Sequence, residues 1–172
     1  MIWALILPWP SQPRSVLLVA SDQRGRGALF LSSALSTLKA LALTPEAKAP
    51  NKLTERPLAD YSFVVVTDAG LLGPGETAAI QDYVQNGGRV MLALGPRSAG
   101  LVGVPVSGQQ LKSAPSLGAA ATLSIGEIDT SHPALRGLDE LRTAKFTRVV
   151  AVEPGAEDRV LARLDDGTPL LL

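Results

Sequence analysis

The sequence contains no cysteine, which excludes disulfides, thiolate metal ligands, thiol redox centres and every cysteine-nucleophile mechanism together. Histidine is almost as scarce. His132 stands alone, and one imidazole does not build a His-rich zinc site, while the carboxylates lack the D-x-D-x-D-G spacing of a calcium loop. No metal and no other cofactor is expected. An excess of charge is also missing: Lys+Arg and Asp+Glu both number 16, the formal net charge is +0, and no Lys/Arg run exists to grip phosphates, so nucleic acid is not an expected partner.

Long apolar runs are absent too. Met1 to Trp9 is apolar but far shorter than the roughly 20 residues that cross a bilayer, and Pro8 interrupts it. It lacks the basic flank and small-residue cleavage site of a signal peptide. Residues 1–13 are therefore read as an apolar arm packing on the domain or as the stub of a truncated membrane helix, with Trp3 and Trp9 suited to an interfacial belt. The other end, Thr168 to Leu172, stops inside an apolar strand, and the chain is expected to be a piece of a longer polypeptide.

At 172 residues, one domain over 14–172 with a single core is expected. Ser15 to Ala20 reads as a buried strand. An amphipathic helix follows over Ala28 to Ala42, with Leu35 and Leu38 on its apolar face. Leu43 to Ala47 is an edge strand, because Pro45 cannot donate to a ladder. Phe63 to Thr67 is the most strand-like stretch, Pro74 to Asn86 is a helix stopped by Gly87-Gly88, and Arg89 to Leu94 is a further strand. Strands alternating with helices predict an open, mostly parallel α/β sheet. Its central strands are Val16–Val19, Phe63–Val66 and Val90–Leu94, with Leu35, Leu38, Ile80 and Val84 covering their faces.

The second half changes character. Val102 to Leu117 reads as loop with a short strand at Val104 to Val106, and strands are predicted over Ala121 to Ile128, Ala144 to Val152 and Arg159 to Leu172. The last of these is a hairpin turning at Asp165-Asp166-Gly167. Together they predict an antiparallel extension on one edge of the parallel sheet.

Open α/β sheets take ligands beyond the carboxyl ends of their strands. That places Ser21, Asp22, Asp68, Gly95 and Arg97 around a candidate ligand crevice. Gly25-Arg26-Gly27 has neither G-x-G-x-x-G spacing nor a P-loop lysine and is read as a loop before a helix. A serine nucleophile would need a G-x-S-x-G elbow; Gly95-Pro96-Arg97-Ser98 is a poor match, and His132, the sole candidate base, lies in a loop where an imidazole caps backbone groups.

Leu58 to Pro96, LADYSFVVVTDAGLLGPGETAAIQDYVQNGGRVMLALGP, resembles a segment of class I glutamine amidotransferase-like domains, including ThuA-like proteins. SHPALRGL (Ser131 to Leu138) and RVLARLDDGTPLLL (Arg159 to Leu172) resemble the form of this domain found in BatA-type bacterial membrane proteins. The resemblance implies a flavodoxin-like fold. In active amidotransferases a cysteine follows the strand equivalent to Arg89 to Leu94, and a His-Pro-Glu phrase supplies the base. Here Gly95-Pro96-Arg97 and His132-Pro133-Ala134 stand in those places, so no catalytic set is carried over.

The resulting expectation is a non-catalytic interaction or ligand-sensing domain of a membrane-anchored envelope protein, on the periplasmic side of the inner membrane. A MoxR-type AAA+ ATPase and von Willebrand-domain proteins are the partners the resemblance implies. The alternative is a ThuA-like enzyme acting on a sugar or related small molecule, with His132 and Asp68 as its acid/base groups; the alternative location is the cytoplasm.

Overall fold

A computed structural model describes residues 14–21, 29, 32–33, 43–112, 122–135 and 139–172. Asp22, the expected arm over 1–13 and nearly all of the helix expected over 28–42, with Leu35 and Leu38, lie outside the described residues. The chain divides into two compact units, Met1–Thr67 with Pro74–Ala93 and Asp68–Gly73 with Leu94–Leu172.

The first unit carries a four-stranded parallel sheet in the order β2-β1-β3-β4, built from β1 (Arg14–Val19), β2 (Leu43–Lys48), β3 (Phe63–Val66) and β4 (Val90–Leu92). Parallel strands need cover on both faces, and β1 meets that condition: Val16, Leu17, Leu18 and Val19 are all fully buried. Val16, Leu18 and Ala20 pack with Val65 on one face, bordered by Leu43, Ala47 and Phe63. β2 is an edge strand that tolerates Pro45, as expected.

Helix α1 (Pro74–Gln85) buries Ile80 and Tyr83. It ends where the glycine pair demands. The Gly87 amide donates to the Val84 carbonyl at 2.9 Å and the Gly88 amide to the Tyr83 carbonyl at 2.8 Å, with Gly87 at φ 87°, the two-bond closure that a left-handed residue makes possible. Gly88 lies flat on an aromatic ring: a Cβ there would sit 2.5 Å from Tyr83.

Two expectations for this unit need correction. β4 is the edge of the described sheet, not a central strand, and it is only three residues long. The Ala93 amide still reaches the Val66 carbonyl, but Pro96 has no N–H with which to extend the ladder. Val84, expected to cover the sheet, is 41% exposed, and Met91 on β4 is 44% exposed.

The second unit holds an antiparallel sheet in the order β10-β9-β6-β7 and a two-stranded pair β5-β8. The elements are β5 (Leu111–Lys112), β6 (Leu123–Ile128), β7 (Lys145–Phe146), β8 (Ala151–Val152), β9 (Ala162–Leu164) and β10 (Pro169–Leu171). Ile125, Ala162 and Leu164 form the core, with Leu123, Ile128, Phe146 and Leu170 packed against it. The β9–β10 hairpin turns as predicted: Gly167 takes φ 84°, and its amide donates to the Leu164 carbonyl at 2.9 Å.

These strands pair among themselves in sheets of their own, where an extension of the parallel sheet was expected. The single strand expected over Ala144 to Val152 is two, because β7 pairs with β6 whereas β8 pairs with β5. The strand expected at Val104 to Val106 is a turn. There the Val104 amide bonds the Gln109 carbonyl at 2.8 Å, and Val106 is forced to φ 76°. A β-branched residue in the left-handed region costs about 1–2 kcal/mol. Val106→Gly is therefore expected to raise stability by up to about 1 kcal/mol in urea unfolding; a lower midpoint would show that this turn is unstrained.

Candidate functional site

Of the residues placed around the expected crevice, the structure brings together Asp68, Gly95 and Arg97, all in the second unit. Ser21 is exposed and belongs to the first unit.

Asp68 follows β3 by two residues and is 8% exposed. It caps the short 3-10 turn Ala69–Leu71 by accepting from the Gly70 amide at 3.1 Å on Oδ1. The same oxygen accepts from the Gly95 amide at 3.2 Å and the Ser98 hydroxyl at 2.6 Å, while Oδ2 accepts from the Arg97 amide at 2.9 Å. Ser98 Oγ in turn accepts from the Gly70 amide at 3.0 Å. One carboxylate thus ties two loops, the turn after β3 and the 3-10 segment Pro96–Gly100.

The backbone must come very close for this to happen. A Cβ on Gly95 would fall 2.4 Å from Asp68 Oδ2, and one on Gly70 would fall 2.4 Å from the Arg97 carbonyl carbon. Both positions therefore require glycine. Burial pushes the Asp68 carboxyl up, but hydrogen bonds from the Ser98 hydroxyl and the amides of Arg97, Gly70 and Gly95 outweigh it, and the group is held below the ordinary carboxylate range.

The chemistry open to this cluster is limited. Ser98 is fully buried, and its one proton is given to Asp68, so its oxygen cannot reach a carbonyl carbon. Asp68 receives four donors on two oxygens and stays ionised. Arg97 contributes its main-chain N–H. The cluster fastens loops.

His132 has other surroundings. It is half-buried in the turn after β6, where its amide donates to the Asp129 carbonyl at 3.2 Å and its carbonyl accepts from the Leu135 amide at 3.0 Å. The turn is held by Asp129. Its carboxylate accepts from the Ser131 amide and hydroxyl and from the Arg159 guanidinium, and the Ser131 hydroxyl foremost, then Arg159, lower its pKa to about 2.

Glu46 is lowered as well, chiefly by the hydroxyl of Tyr61, which donates to it at 2.9 Å. All three carboxyls titrate lower in the folded chain than in the unfolded one. Their stabilisation is complete above about pH 4, the unfolded carboxylate range, and is lost as pH falls toward the folded values, near 2 for Asp129. The urea midpoint should fall over that window, and Asp129→Asn should flatten the fall; an unchanged slope in the variant would show that Asp129 does not carry it.

Asp68-Ala69-Gly70 is legible in the sequence as a turn in which an aspartate accepts from the amide two residues on. Its distant partner Ser98 is not, because nothing local distinguishes a serine that reaches back 30 positions. Comparison of the chain with protein-family models, with curated proteins and with solved structures found no match.

Proposed function

We propose that the chain is a non-catalytic interaction or ligand-sensing module. The observation that carries this reading is the state of the loop after β4: Gly95, Pro96 and Arg97 offer no nucleophile, and Ser98, which has one, is buried and bonded to Asp68. Acyl transfer needs an accessible nucleophile beside a base, with oxyanion donors ahead of it. The amides of Gly95 and Arg97 point at a resident carboxylate instead. The enzymatic alternative would use Asp68 as acid or base, and its filled lone pairs weigh against that role.

A flavodoxin-like architecture is part of the proposal. The all-parallel order β2-β1-β3-β4 supports it, since it matches the first four strands of the doubly wound order 2-1-3-4-5. The resemblance of Leu58 to Pro96, Ser131 to Leu138 and Arg159 to Leu172 supports an amidotransferase-like domain of a BatA-type, membrane-anchored envelope protein facing the periplasm. On that reading a MoxR-type AAA+ ATPase or von Willebrand-domain proteins are its partners. Among the described residues no helix is long and apolar enough to cross a membrane; on the proposed reading, membrane association comes through segments outside this chain. Apolar spans of about 20 residues in the surrounding reading frame would support this, and uniformly polar flanks would remove it.

The purified chain should hydrolyse glutamine no faster than background. His132→Ala should cost about 1 kcal/mol of stability, the ordinary scale for replacing one half-buried side chain, and alter no turnover. A glutaminase activity that co-purifies with the folded chain and vanishes in His132→Ala at unchanged melting temperature would overturn the proposal.

A further inference from the structure

Within the first unit a cleft of about 610 Å³ is lined by residues of the 54–62 segment, by α1 and by the Gly87-Gly88 turn. That volume is in the range of small-molecule sites. Its framework is fixed. The Tyr83 hydroxyl donates to the Tyr61 carbonyl at 2.9 Å, and the Tyr83 ring is pressed against Gly88. Tyr61 is held by its hydroxyl on Glu46 and by the Arg56 guanidinium, 4.9 Å from the ring centroid.

The charges of the lining are unequally satisfied. Arg56 pairs with Asp60 at 2.9 Å and with Glu46 at 3.7 Å, and Glu46 also meets Lys48 at 3.3 Å. Asp82 accepts from the Asn86 amide at 3.2 Å. Arg89 is exposed, and its guanidinium has no hydrogen-bond or ion-pair partner among the described residues. The cleft therefore offers one unanswered cation at the end of a rigid turn, beside apolar surface from Pro57, Leu58 and Ala79.

We propose that this cleft binds a small organic acid, with the carboxylate paired to Arg89 and the apolar body against Leu58 and Ala79. An arginine fork matches a carboxylate in two parallel hydrogen bonds. Asp82 lies in the same lining, and its charge opposes a phosphate dianion more strongly than a carboxylate monoanion. The inference rests on the ligand-sensing part of the function proposed above and names the ligand class.

Benzoate is a suitable probe, with benzamide as its neutral isostere and inorganic phosphate as the competing anion, each titrated into the full chain while amide NMR shifts are followed. Benzoate should give saturable shifts at Asp82, Gly87, Gly88 and Arg89 and weaken with added salt, whereas benzamide and phosphate should not saturate. Arg89→Gln should bind benzoate at least about tenfold more weakly, and Arg89→Lys should restore part of the loss. Arg89 is exposed, so both variants should keep the wild-type melting temperature; if Arg89→Gln did not fold, Arg89→Lys and the benzamide comparison would still decide. No saturable benzoate shift, equal binding of benzamide, preference for phosphate, or unchanged affinity in a folded Arg89→Gln would each overturn the proposal. Failure here with glutamine turnover also absent removes only this ligand class, whereas glutamine turnover removes the non-catalytic reading itself.

Discussion

Val65→Asp is expected to lose about 4 kcal/mol or more of stability, enough to unfold a domain of ordinary marginal stability. Val65 is 3% exposed and sits on β3 between β1 and β4, in register with Leu18 on one side and Met91 on the other. Its side chain packs with Val16, Leu18 and Ala20, a group with no donor to give a carboxylate. The charge must either enter unpaired or be neutralised by protonation, and both routes oppose folding. Circular dichroism melting of the variant beside Val65→Ala separates the two contributions, since alanine removes only packing. A wild-type melting temperature for Val65→Asp would show that β3 is not a central strand.

Asp68→Ala should be the most damaging polar substitution in the second unit, at about 3 kcal/mol. The carboxylate answers the Ser98 hydroxyl and the amides of Gly70, Gly95 and Arg97, and its removal leaves several of these donors buried with no partner. Alanine is too small to reach them. The loss should appear in urea unfolding above about pH 4 and shrink under acid, because the native carboxylate stabilises only while it is ionised and its pKa is depressed. A loss that stayed constant with pH would point to packing at this position in place of charge-assisted hydrogen bonding.

Local signals in the sequence held for several elements and failed at Val104 to Val106, where an apolar β-branched stretch is a turn. Val16 to Val19, Phe63 to Val66, the α1 stop at Gly87-Gly88 and the turn at Gly167 follow from burial, β-branching and left-handed glycines. Partner choice was not legible. Arg89 to Leu94 has the composition of a central strand, yet β4 ends the described sheet, and Ala144 to Val152 looks continuous although its halves pair with different strands. Alternation and propensity report that a segment is extended and half-buried, not which distant strand completes its ladder.

The candidate site shows the same division. Asp68 and Gly95 are visible as turn residues, but their joint role depends on Ser98 arriving from the other loop. The unpaired state of Arg89 is likewise invisible in a balanced charge count, because it follows from which neighbours Arg56 and Asp82 have already taken.

If the loop after β4 is held for structure and not for reaction, Asp68 and Ser98 should be energetically coupled in a double-mutant cycle. Asp68→Ala, Ser98→Ala and the double variant would be compared by urea unfolding at neutral pH. Ser98→Ala alone should be destabilising and the pair should be coupled by about 1–2 kcal/mol, as expected for buried groups in one hydrogen-bond network. Additive or negligible effects on stability, with Ser98→Ala abolishing a hydrolytic activity that the wild type possesses, would contradict it.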